Sequence, residues 1–223
     1  MRNKLIYIAI LFLCFSALSG VAQESKEFRF YDYNSFGAKV GAVYSTIGLQ
    51  PKIGDISPEL SFNGGLVYIF SNKNNVGIQL EALYSQRKWR ESFVDGSAIT
   101  ELSYLEIPFM TNIILGNGRF KYLINIGAYM SFLLDKKLKL NIPYENPYYQ
   151  SLIDRTERKS DYGILVGGAL RYISKVGIFQ LDLRYAYGFQ KLYNEDASGF
   201  RFSYMSGLSM GLIYTFNLKK DHE

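Results

Sequence analysis

Between residues 36 and 218, bulky apolar and aromatic side chains alternate with glycine or polar ones in eight segments. A period of two belongs to a strand whose two faces meet different surroundings. The first segment, residues 36–47, sets Phe36, Ala38, Val40, Ala42 and Tyr44 against Gly37, Lys39, Gly41 and Ser45. The same alternation recurs over residues 60–70, 76–89, 101–115, 120–132, 162–172, 179–189 and 204–218. Each segment runs about 11 to 15 residues, longer than the usual soluble strand and suited to a tilted membrane crossing.

The links alternate in length. Residues 71–75, 116–118 and 174–177 form short turns, whereas residues 48–59, 90–100, 135–160 and 191–202 form long connections. Together these features predict an all-β, eight-stranded, antiparallel up-and-down transmembrane β-barrel with short turns facing the periplasm and long loops facing outward. Aromatics on the oily faces fall at two levels. Phe36, Tyr68, Phe120, Tyr172, Phe179 and Phe216 lie near the short turns, and Tyr44, Phe62, Tyr84, Phe132, Tyr187 and Tyr204 near the long loops. Two such belts are expected where a barrel crosses the two membrane interfaces. A soluble sandwich or lipocalin-like barrel is the alternative, and residues 23–34 and 138–149 leave room for two further strands.

The N-terminus changes the picture by fixing an address. Arg2 and Lys4 precede an apolar run over residues 5–18 that is too short to span the bilayer, and Gly20-Val21-Ala22 supplies small residues for cleavage after Ala22. The expected organisation is a signal peptide (1–22), a short periplasmic segment (23–35), the barrel (36–218) and a periplasmic tail (219–223). The destination is the outer membrane of a Gram-negative-type bacterium. Cys14 lies inside the leader behind Phe12-Leu13, where a lipoprotein signal needs small residues, so the mature chain has no cysteine. Removing Arg2 and Lys4 from the 25 basic residues leaves 23 against 20 acidic ones, a net charge of +3 in place of +5. That mild balance, together with export, argues against a nucleic-acid partner.

Chemistry is sparse on the inward faces. They carry Glu81, Arg87, Glu106, Arg171, Asp182 and Arg184, and an eight-stranded barrel has room for little besides its own side chains. Opposite charges in that space are expected to pair and plug the lumen, a gated proton or ion path through them being the alternative. Glu106 has the position of a rim carboxylate, but serine or water hydrolysis also needs a base, and the one histidine is His222 in the tail. Ser103, Ser131 and Ser209 then read as wall hydroxyls, and no catalytic, cofactor or metal site is expected. The third outer loop is the best interaction surface: Lys136, Lys137, Lys139, Arg155, Arg158 and Lys159 accompany Tyr144, Tyr148 and Tyr149, with the lysines suited to lipopolysaccharide phosphates.

Tyr104-Leu105-Glu106-Ile107-Pro108 in the fourth segment, with the aromatic closing strand at residues 207–218, resembles the small eight-stranded outer-membrane β-barrel family labelled porin-family or PorT-like. The resemblance covers essentially the whole mature chain. It implies the barrel architecture and a structural role for Glu106 and Pro108, while the family's functions are varied. The expected function is a non-enzymatic, structural or surface-interaction barrel with a plugged lumen, monomeric, in contact with outer-membrane lipid and lipopolysaccharide. A small passive pore and an accessory part of a secretion or envelope-assembly system are the alternatives, the last implying a protein partner.

Overall fold

Eight strands follow one another in order and close on themselves: β1 (Tyr33–Gln50), β2 (Asp55–Asn72), β3 (Val76–Phe93), β4 (Gly96–Leu115), β5 (Phe120–Asn141), β6 (Ser160–Ile173), β7 (Ile178–Gly188) and β8 (Phe202–Leu218). This computed structural model describes residues 33–52, 54–72, 75–116, 118–143, 145, 152–153, 157–193 and 201–218. The expected signal peptide, its cleavage point and the tail with His222 lie outside the described residues. Every neighbouring pair is antiparallel, and the ring shuts where β1 meets β8, from Asn34↔Leu218 to Gln50↔Phe202. Closure leaves no backbone edge in the lipid-facing wall, which a chain in hydrocarbon requires.

Side-chain alternation sorts the two faces as a membrane demands. The oily set points out, with Val40 63% and Leu212 62% exposed, while Glu81 is 1% and Arg171 0% exposed inside. A soluble barrel would bury the first set and expose the second. The belts are built from ring pairs: Phe36–Phe216, Phe120–Tyr172 and Phe179–Tyr214 across strands near the short turns, and near the outer end Phe62–Tyr84 across strands and Phe202–Tyr204 along β8.

The strands outrun the apolar alternation at the outer end. Residues 90–100, expected as a long loop, are the tip of a hairpin in which Phe93 pairs with Gly96 around Val94-Asp95. Gly96 has φ 147°, and the carbonyl of Asn141 stands 2.0 Å from where its Cβ would be, so the end of β5 packs against a position open to glycine alone. Residues 138–141, a candidate for an extra strand, continue β5, and Tyr33 and Asn34 belong to β1; the described residues make eight strands. The reason is physical. Beyond the lipid the outward face no longer has to be apolar, so here Trp89 and Glu91 point in while Lys88 and Arg90 point out, reversing the hydropathy signal that marks the strand.

Above the membrane the wall also divides. β1 leaves β2 after Ser45↔Glu59 and stays with β8, whereas the tip of β2 stays with β3 from Asp55↔Ser92 to Pro58↔Trp89. The β2–β3 ladder slips between Pro58 and Asn63, and hydroxyls take up backbone groups freed there. The Lys88 amide donates to Ser45 Oγ at 2.9 Å, and Ser61 Oγ donates to the Gln86 carbonyl at 2.8 Å.

Candidate functional site: the filled lumen

Among the described residues, strand parity buries or nearly buries ten charged side chains in the interior. Lys39, Arg87, Lys121, Arg171 and Arg184 face Glu81, Glu91, Glu106, Asp161 and Asp182, five cations against five carboxylates. All are buried except Glu106, whose side chain is 12% exposed. Charges removed from water this completely persist when each is paired and hydrogen-bonded.

They gather in layers. In the middle layer Arg184, on β7, grips Glu81, on β3, with two hydrogen bonds, Nη1 to Oε2 at 2.8 Å and Nη2 to Oε1 at 2.7 Å. A planar guanidinium meeting both oxygens of a carboxylate is the strongest common form of ion pair. Arg184 also contacts Asp182, and Lys39 from β1 places Nζ 3.2 Å from Asp182 and 3.7 Å from Glu81. Amides extend the layer toward the short-turn end: Gln79 donates to Glu81, Gln180 donates to Gln79 at 3.3 Å, and Arg171 Nε donates to Gln180 at 2.8 Å.

The upper layer centres on Arg87. It donates to Asp161 at 2.5 Å, to Glu106 at 2.8 Å and to Ser131 at 3.3 Å, and its guanidinium lies over the rings of Tyr104 (4.7 Å) and Tyr129 (5.1 Å). The Tyr129 hydroxyl donates to Asp161 at 2.9 Å. A bulge between β4 and β5 at Ser103/Tyr104 leaves Leu134 unpaired and shifts the parity of β5, so that Lys136 above it faces inward as Leu133 does below it, while unbroken alternation in β4 turns both Leu102 and Tyr104 inward. Those two join Ile47, Trp89, Leu192, Tyr193 and Met205 in an apolar cap over the outer end. Leu192 is tied to β8 by its amide, which donates to the Ser203 carbonyl at 2.8 Å.

Between the layers a cavity of about 30 Å³ remains, lined among others by Lys39, Asn63, Arg87, Glu106 and Arg184. That is room for a water or two. Glycines make space for the plug. A Cβ on Gly211 would stand 2.6 Å from Lys39 Cε, one on Gly167 3.0 Å from Arg184 Cγ, and one on Gly188 3.0 Å from Asp161 Oδ1.

All six charges singled out in the sequence face inward. Glu81, Asp182 and Arg184 share one network, which Arg171 joins through Gln180, and Arg87 and Glu106 share the other. Sequence reasoning left out Lys39 and Asp161, each the counter-ion of a named residue. Lys39 lay on the polar face of the first segment, and Asp161 has the inward parity of Gly163, one residue before the sixth segment began. The loop candidates separate. Lys136 turns inward onto Glu157 (2.7 Å), Lys137 and Lys139 point outward from β5, and Arg158 and Lys159 are exposed before β6. Tyr144, Tyr148, Tyr149 and Arg155 lie outside the described residues. Ser103 accepts a hydrogen bond from Tyr84 at 2.9 Å, and among the described residues no cluster of three or more histidine, cysteine or acidic side chains is placed to hold a metal.

A closed sheet with an oily exterior, two aromatic belts and an ionic interior defines a small barrel of the outer membrane. The chain belongs to the family described as outer membrane protein beta-barrel domain, which matches residues 21–194 and resides in the outer membrane of Gram-negative bacteria. Among solved structures, OprG from Pseudomonas aeruginosa superposes with a TM-score of 0.52 at 12% identity, covering 83% of this chain and 97% of its own. Ail of Yersinia pestis gives 0.45 at 15% identity, over 83% and 100% of the two chains. Neisserial surface protein A gives 0.47 at 11%, over 81% and 97%. At these identities the likeness is one of fold. No curated protein sequence matches.

Proposed function

We propose that this is a non-enzymatic, structural or surface-interaction barrel of the outer membrane, exported by a leader cleaved after Ala22 and closed to solute flow. The observation that carries the reading is the filling of the lumen: two ionic layers resting on glycines, an apolar cap, and about 30 Å³ between the layers. A hydrated ion needs a continuous polar path, and both the paired guanidinium groups and the cap stand across it. Hydrolysis at a serine or an activated water lacks a base, since the chain's single histidine is in the tail.

Planar-bilayer recording on refolded protein tests this. Wild type is expected to give no stable current steps. Glu81→Ala with Arg184→Ala, which removes one cation and one carboxylate of the middle layer and leaves Lys39 with Asp182, is expected to leave the bilayer silent because the upper layer and the cap remain. A stable single-channel current in wild type, altered by Glu106→Gln or Arg184→Ala, overturns the reading in favour of a passive pore.

A further inference from the structure

The hairpin extension beyond the outer aromatic belt has two faces, and the outward one carries a set of cations that the sequence divided between a strand and two loops. The register places Lys88 level with Lys137 through Glu101, and Arg90 level with Lys139 through Ile99. Four cations thus stand in two rows, on β3 and β5 with β4 between them. Three carboxylates are interleaved with them: Glu59 holds Arg90 at 2.6 Å, and Glu101 and Asp135 each lie 3.9 Å from Lys137. Among the described residues neither Lys88 nor Lys139 is held in an ion pair. Strand spacing and rise put their Cα atoms roughly 12 Å apart, within reach of two anionic groups on one molecule.

These cations also stand at the height of a lipid headgroup. Lys88 follows the belt residue Tyr84 by two outward positions, roughly 13 Å of strand, which a barrel tilt near 45° converts to about 10 Å above the belt. An aromatic belt marks the boundary of the hydrocarbon, so these ammonium groups stand at the level of the outer-leaflet headgroups.

We propose that the outward face of the β3–β5 extension docks a bis-phosphorylated glycolipid of the outer leaflet, Lys88 and Lys139 each taking one phosphate while Arg90 and Lys137 flank them. This rests on the reading of the protein as a surface-interaction barrel and gives that surface a partner. Lys136, the neighbour of Lys137 in sequence, takes no part, because its side chain is turned inward onto Glu157.

The test uses the full-length protein refolded in detergent, its fold checked by heat-modifiable gel mobility, and titrated with lipid A bearing both phosphates or with the same glycolipid after phosphate removal. Wild type and Lys136→Gln are expected to bind the phosphorylated form about tenfold more tightly, and Lys88→Gln/Lys139→Gln is expected to lose that preference. A folded double variant that keeps the preference overturns the proposal, as does a wild type that shows none. Competition by inorganic phosphate at matched concentration also overturns it, in favour of a simple phosphate site. None of these readings depends on conductance, so a failure here is separable from a failure of the closed-lumen reading.

Discussion

The middle and upper ionic layers of the lumen hold similar charges by different means. In the middle layer two cations and two carboxylates from β1, β3 and β7 meet with no aromatic partner among the described residues, supported by Gln79 and glycines. In the upper layer one guanidinium serves two carboxylates, and two tyrosine rings and a serine take the remaining contacts. The first is a mutual arrangement in which every member needs the others. The second is a hub, where loss of a peripheral member leaves the centre satisfied.

The largest expected effect follows from breaking the mutual arrangement on one side. Glu81→Leu leaves Lys39 and Arg184 with one carboxylate between them, and should cost about 3–5 kcal/mol in urea unfolding from vesicles. Glu81→Leu/Arg184→Leu should recover a good part of that, since removing both partners of a buried pair is far milder than stranding one. Arg87→Met strips the hub, but the Tyr129 hydroxyl still donates to the Asp161 carboxylate and Glu106 is partly exposed to water; about 2–3 kcal/mol is expected in the same assay. Gly211→Ala leaves every charge in place and crowds Lys39, and about 1–2 kcal/mol is expected. Tyr129→Phe removes one hydroxyl and keeps the ring beneath Arg87, so about 1 kcal/mol is expected. If Tyr129→Phe proved as damaging as Arg87→Met, the description of the upper layer as a hub would be wrong.

Within the membrane the fold was legible because lipid enforces a rule the chain must obey at every second residue. Phe109 out and Met110 in, or Leu183 out and Arg184 in, follow from parity alone. Outside the membrane that rule lapses. Arg90 and Lys139 face water from regular strands, and their sequence reads as loop. The interior was legible by face and not by partner. Lys39 on β1 meets Asp182 on β7 because the barrel closes, and a contact across a closed ring leaves no trace in local spacing. Asp161 was missed for a smaller reason, because the oily alternation that marks β6 starts at Tyr162.

The seam between β1 and β8 joins the first and last strands of the sheet, and every other ladder can form while it is still open. Until it shuts, β1 presents an unsatisfied backbone edge, Ser35 awaits the Thr215 hydroxyl, and Lys39 hangs from the free margin of the sheet. Bringing β8 alongside carries β7 with it and delivers Asp182 to Lys39. Completion of the wall and neutralisation of that ammonium are therefore one event, so the last stage of assembly locks the interior as it seals the perimeter.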